Sequence, residues 1–179
     1  MDVSLVMTVI GPDRPGIVSA LADCGRSFDA NWAESRMASL AGQFAGIVRW
    51  QVAAKHAEAM ATELRKLEAS GLQIVIATSD AHGALVARRL IAVELVGHDR
   101  PGIVHDVARE LTRYGASIEA LDTEIASAAW SGEPLFKATA TVAVPQSVAL
   151  QTLRQRLEAL ANDLMVDVNV QEHPEHDPS

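Results

Sequence analysis

Residues 11–18 read GPDRPGIV and residues 97–104 read GHDRPGIV, a match at seven of eight positions at an offset of 86 residues. An apolar, strand-like run precedes each copy: Leu5 to Ile10 in the first, Leu90 to Val96 in the second. A helical pattern follows each, carried by Ile17, Leu21, Cys24 and Phe28, then by Ile103, Val107, Leu111 and Tyr114. Spacings of three and four residues place each set on one helix face. The first copy continues through a mixed segment, Ala30 to Leu40, a break at Gly42, and a strand-like run from Phe44 to Ala53. A second helical pattern (Met60, Leu64, Leu67) then ends at Gly71, before the β-branched run Leu72 to Ala77. The second copy repeats this order with Ala116 to Ala126, Leu135 to Val144, a helix through Leu150, Leu153, Leu157 and Leu160, and Met165 to Val170. Phe44 aligns with Phe136 at an offset of 92, so the connection through Trp130–Pro134 is six residues longer than its counterpart.

The order β-α-β-β-α-β, read twice, predicts an α+β protein of two ferredoxin-like units. Each unit is an antiparallel sheet with helices on one face. The expected boundaries are 1–80 for the first domain, 81–88 for a linker, 89–171 for the second domain and 172–179 for a flexible tail. Each sheet keeps one face free of helices. Strands rich in Val, Ile and Leu should not face water, so the units are expected to pair through their sheets.

Composition bounds the chemistry. The chain has 179 residues, 49% hydrophobic, 21% charged and only 4% aromatic. Its cores must therefore come from Ala, Val, Ile and Leu, which suits small two-layer domains. Lys and Arg number 15 against 23 Asp and Glu, a net charge of -8. Split at residue 86, the halves carry 7 basic with 9 acidic residues and 8 with 14. Nucleic-acid affinity rests on Lys and Arg displacing phosphate counterions, so direct nucleic-acid binding is not expected. Cys24 is the only cysteine, which excludes an intrachain disulfide and points to a reducing compartment. No run resembles a signal peptide or approaches the length of a membrane span, so a cytoplasmic location is expected.

The repeated loop joins a strand to a helix. Pro15 and Pro101 fit a first helical turn, Asp13 and Asp99 are placed to cap it, and Gly16 and Gly102 suit a close backbone approach. A helix N-terminus with bare amides is an anion site. The loop is not a P-loop: Gly11 and Gly16 have the glycine spacing, but Ile17 and Val18 stand where Lys and Ser or Thr would be needed. Other candidates are weaker. The six histidines show no paired metal-ligand spacing on a regular element, and no metal is expected. Cys24 in its helical pattern reads as a small buried hydrophobe, not a nucleophile. Glu58 with Glu63 and Glu119 with Glu124 read as solvated faces. Trp32 and Trp50 read as packing residues before pocket residues.

Two βαββαβ units, each opening with G-x-DRPGIV, resemble tandem ACT domains, the small-molecule-sensing modules of amino-acid metabolism. Asn31-Trp-Ala-Glu-Ser-Arg-Met37, followed by Gly42-Gln-Phe44, is similar to the glycine cleavage system transcriptional repressor family. The resemblance implies side-by-side pairing of ACT domains with an amino acid bound at the interface, near the first strand–helix loop. On this chain the implied ligand residues are Asp13, Arg14, Pro15, Gly16, Ile17 and Asn31. The second set is His98, Asp99, Arg100, Pro101, Gly102 and Ile103. His98 replaces Pro12 and Ser117 replaces Asn31 in the second copy, so the two loops are not equivalent. The resemblance further implies a repressor that senses a small amino acid, glycine first, and acts through a DNA-binding activator protein. No catalytic residue or other cofactor is expected, because two units and an eight-residue tail leave no catalytic domain of the kind that formyltetrahydrofolate hydrolases carry. The alternative is a stand-alone ACT subunit regulating a metabolic enzyme in trans. An exposed sheet edge suits a homodimer.

Overall fold

The computed structural model describes residues 1–79, 88–127 and 133–172. It divides into two units, Met1–Ala84 and Leu85–Ser179. The expected linker and tail lie outside the described residues except for Arg88 and Glu172, as do residues 128–132 of the longer connection.

The first unit runs β1 (Asp2–Pro12), α1 (Ile17–Ser27), β2 (Asn31–Leu40), β3 (Gln43–Ala53), α2 (Ala54–Lys66) and β4 (Gln73–Ser79), with a 3₁₀ turn over Leu67–Ser70. The second runs β5 (Arg88–His98), α3 (Ile103–Arg113), β6 (Ser117–Ser127), β7 (Pro134–Pro145), α4 (Leu150–Leu164) and β8 (Val166–Glu172). Both sheets are antiparallel, ordered β2-β3-β1-β4 and β6-β7-β5-β8. The expected βαββαβ order is present twice. The mixed segments are the edge strands β2 and β6, each irregular near its start, between Trp32 and Glu34 and between Ile118 and Ala120.

Strand periodicity assigns the faces. Leu5, Met7 and Val9 of β1 are fully buried, as are Val48 and Trp50 of β3, and all five pack in one cluster with Ile17, Leu21, Met60 and Leu64 of the helices. Ile91, Val93 and Leu95 do the same in the second unit, with Ile103, Val107, Leu111, Leu153 and Leu157. The two cores are built differently at one point. Gly25 of α1 lies directly over Trp50, where an added Cβ would overlap the ring atoms Cζ3 and Cη2. At the matching positions the second unit has Leu111 and Val142, both buried. A large strand residue under a glycine in one unit is exchanged for a medium pair in the other, at similar combined volume.

Gly11 and Gly97 stand one residue before the ends of β1 and β5, where each strand passes the chain entering β4 or β8. A Cβ on Gly97 would stand 2.7 Å from Val166 Cα and 2.8 Å from the Met165 carbonyl oxygen. Backbone atoms have no rotamer through which to yield, so Gly97→Ala is expected to destabilise the second unit by about 2 kcal/mol. Chemical unfolding followed by circular dichroism measures the change; a loss under 0.5 kcal/mol would contradict the contact.

The second core holds a small void. An apolar cavity of about 20 Å³ lies between α3 and its sheet, lined by Val93, Leu95, Val107, Leu111, Ala138 and Ala140 among others. The first unit has Leu21 where the second has Val107, and Val48 where it has Ala140. Val107→Leu or Ala140→Val is therefore expected to stabilise the second unit, by roughly 0.5–1 kcal/mol. A fall in unfolding midpoint for both variants would refute the cavity.

Candidate ligand-binding site

The DRPGIV turns are pinned by their neighbouring hairpins. The Asp13 amide donates to the Gly42 carbonyl at 2.9 Å, and the Asp99 amide donates to the Pro134 carbonyl at 3.3 Å. Three residues on, Gly16 (φ 93°) and Gly102 (φ 99°) take left-handed conformations as the N-caps of α1 and α3. This corrects three sequence expectations. Asp13 and Asp99 do not cap the helices, since each lies three residues before the N-cap and no side chain caps either helix. Pro15 and Pro101 precede the N-cap instead of occupying the first turn. The glycines are required by positive φ and not by close approach, for nothing lies within 4 Å of a Cβ built on Gly16.

Asp13, Arg14, Pro15 and Gly16 are exposed together at one end of the first sheet. Ile17 and Ile103 are 4% and 2% exposed, so their side chains belong to the cores and only their amides face the turn. The first amides of a helix have no partner within it. In α1 nothing negative occupies the first turn, whereas in α3 Asp106 does. The Asp106 carboxylate also meets His105 Nδ1 at 3.0 Å. Asp99, Pro101 and Gly102 are exposed and Arg100 is half-buried, while His98 Nδ1 lies 3.8 Å from Glu133 Oε2. The two loops share a backbone and differ in electrostatics.

Asn31 is not near the loop of its own unit. Pro12 pairs with Gln43 at one end of the sheet, and Asn31 pairs with Gln51 near the other. Eight strand residues separate these rows, roughly 26 Å at 3.3 Å per residue. Sequence spacing concealed this because α1 runs the length of the sheet between them.

Asn31 instead borders an open concavity of about 430 Å³ at the C-terminal end of α1, with Ala22, Arg26, Asp29, Ala30, Trp32 and Trp50. Trp32 and Trp50 meet edge to face, their ring centroids 4.6 Å apart. Trp50 Nε1 is buried and has no hydrogen-bond partner among the described residues. Arg26, which also pairs with Asp23 at 3.4 Å, and Asp29 bring opposite charges to the rim. Asp29 holds a positive φ of 51°, a conformation that Asp tolerates better than most residues. Neither Arg26 nor Asp29 stood out in the sequence, where the only signal was a short polar step between helix and strand.

Cys24 is half-buried, and burial, reinforced by the Glu63 charge, pushes its thiol above the ordinary thiol range. It does not have the character of an activated nucleophile. Among the described residues no cluster of His, Cys, Asp and Glu could hold a metal ion, and no helix is long and apolar enough to cross a membrane.

Residues 4–77 match the family model for the ACT domain. A solved structure of an unknown protein from Galdieria sulphuraria is 30% identical, with a TM-score of 0.86 over 97% of this chain and 100% of that one. The chain belongs to the ACT-domain family. Its second unit repeats the same topology and the same DRPGIV turn, so the protein is a tandem ACT-domain protein. A candidate glycine cleavage system transcriptional repressor shares the fold at 18% identity, with a TM-score of 0.69 over 97% of this chain and 99% of that one. No curated protein matches the chain significantly.

Proposed function

We propose that this tandem ACT-domain protein is an amino-acid-sensing regulator and not an enzyme. Its first unit takes a small amino acid, with glycine the first to test. A protein partner, a DNA-binding activator, reads the bound state in the manner of a glycine cleavage system repressor. The observation that carries the reading is the open N-terminus of α1, presented by the Gly16 turn with no side-chain cap and no first-turn acid. Amides of residues 17–19 suit a carboxylate, and the exposed Asp13 carboxylate of the same DRPGIV turn suits an ammonium. Asp106 already places a carboxylate in the first turn of α3, which disfavours a second anion there. One effector per chain is therefore expected. The net charge of -8 supports action through a protein in place of operator DNA.

A thermal-shift panel of the twenty amino acids tests the reading, since a ligand selective for the native state raises stability by RT ln(1 + [L]/Kd). At a hundredfold excess over Kd the gain is about 2.7 kcal/mol. No shift with any amino acid would reject sensing and favour a ligand-free ACT subunit acting on an enzyme in trans. Specific nanomolar DNA binding by the protein alone at physiological salt would reject the indirect mode of action.

A further inference from the structure

We infer that the tryptophan concavity of the first unit binds a small organic ammonium ion, at a site separate from the DRPGIV turn. Its central residue is Asp29. Both α1 and α3 close through one left-handed residue. After α1 the Asp29 amide donates to the Arg26 carbonyl at 3.2 Å and the Ala30 amide to the Gly25 carbonyl at 3.0 Å. After α3 the same bonds run from Gly115 to Thr112 at 2.9 Å and from Ala116 to Leu111 at 3.1 Å. Such a closure selects glycine, and Gly115 holds it at φ 66°. The first unit puts an aspartate there at φ 51°. The fold disfavours that choice twice, as a side chain in the left-handed region and as a negative charge at the negative end of a helix dipole. Among the described residues the Asp29 carboxylate has no hydrogen bond or ion pair that would compensate.

The surroundings differ between the units in the same way. Arg26, Asn31, Trp32 and Trp50 stand where the second unit has Thr112, Ser117, Ile118 and Val142. Gly25 admits the Trp50 ring, whereas Leu111 covers Val142. One backbone thus carries two indoles, an amide and a free carboxylate in the first unit, and small or aliphatic side chains in the second. Strain and polar groups kept together at one place, and missing from the duplicate, mark a binding site and not a folding need.

The chemistry selects a cation. Arg26 is paired with Asp23 at 3.4 Å, so Asp29 leaves the rim net negative. The carbonyl end of α1 adds partial charge of the same sign. Indole faces attract cations, and Trp32 is half-buried with Trp50 edge-on to it at 4.6 Å. The Asn31 amide and the Trp50 N–H, which is buried without a partner among the described residues, are donors for an oxygen on the same ligand. An ammonium with a hydroxyl a short chain away meets all of these groups within an open space of about 430 Å³. A free amino acid would bring a carboxylate that this rim repels, so the ligand differs in class from the effector proposed for the turn.

Titrating the full chain with choline, followed by tryptophan fluorescence, tests this. The expected result is a saturable change that 3,3-dimethylbutan-1-ol, the uncharged analogue of the same shape, does not produce. Asp29→Gly copies the second unit and should weaken choline at least about tenfold while raising the urea midpoint. Trp32→Ile should weaken it similarly, and Glu58→Lys on the exposed side of α2 should leave it unchanged. No saturable response, or an equal response to the neutral alcohol, overturns the inference. So does Asp29→Gly binding as wild type does, or Asp29→Gly losing stability, which would make the aspartate structural. Flotation with phosphatidylcholine vesicles without a response to free choline would assign the concavity to a lipid headgroup and overturn it as well.

Discussion

Gly25→Leu is expected to destabilise the first unit by about 3 kcal/mol or more, and Trp50→Val by a similar amount, while the double variant recovers much of the loss. The first change forces a side chain into space held by the Trp50 ring, where even a Cβ overlaps Cζ3 and Cη2. The second removes the largest fully buried side chain of the core and leaves a void beneath a glycine. Together they install the Leu111–Val142 combination that the second unit already uses on the same backbone. Because each change relieves the defect of the other, a coupling energy of about 2 kcal/mol is expected. Helix propensity alone would reward replacing Gly25, by roughly 1 kcal/mol for alanine. Packing decides the opposite sign. Urea unfolding of the four proteins completes the cycle, and additive effects would show that the two residues do not share one space.

Ala20→Asp is expected to abolish the effector-induced thermal shift while leaving the ligand-free protein as stable as before, or more stable by up to roughly 1 kcal/mol. Ala20 is the counterpart of Asp106 at the 86-residue offset, so the variant gives α1 the first-turn charge that α3 carries. A carboxylate there satisfies the helix dipole and repels an incoming anion. The reverse change, Asp106→Ala, should open the second loop and raise the stoichiometry seen by calorimetry from one effector per chain toward two. These variants are better probes than Gly16→Val, which would strain the backbone at φ 93° and confound binding with folding. Arg26→Ala separates the remaining possibility. If it removes the shift and Ala20→Asp does not, the effector lies in the tryptophan concavity and the loop is structural.

The fold was legible because repetition doubles every signal. Ile17 and Leu21 alone specify a short amphipathic helix, but the same spacing after a second DRPGIV turn, at Ile103 and Val107, establishes the unit and its length. The segments Ala30–Leu40 and Ala116–Ala126 read only as mixed. They form edge strands with one hydrogen-bonded neighbour, and their exposed positions carry no alternating pattern. The site was legible in part. The turn and its glycines were evident, but the cap assignment to Asp13 failed because the left-handed glycine, and not the aspartate, holds the N-cap position.

Residue order by itself determined the duplicated βαββαβ plan, the aliphatic cores and the acidic balance, for each is a matter of period, composition or count. Tertiary structure alone decided that Asn31 stands at the far end of the sheet from Asp13, that Arg26 and Asp29 share a rim with two tryptophans, and that Gly25 exists to seat Trp50. Spacing along a chain records which residues share a helix or strand face. It does not record which end of a sheet a returning strand begins from, or which two side chains divide one volume in the core.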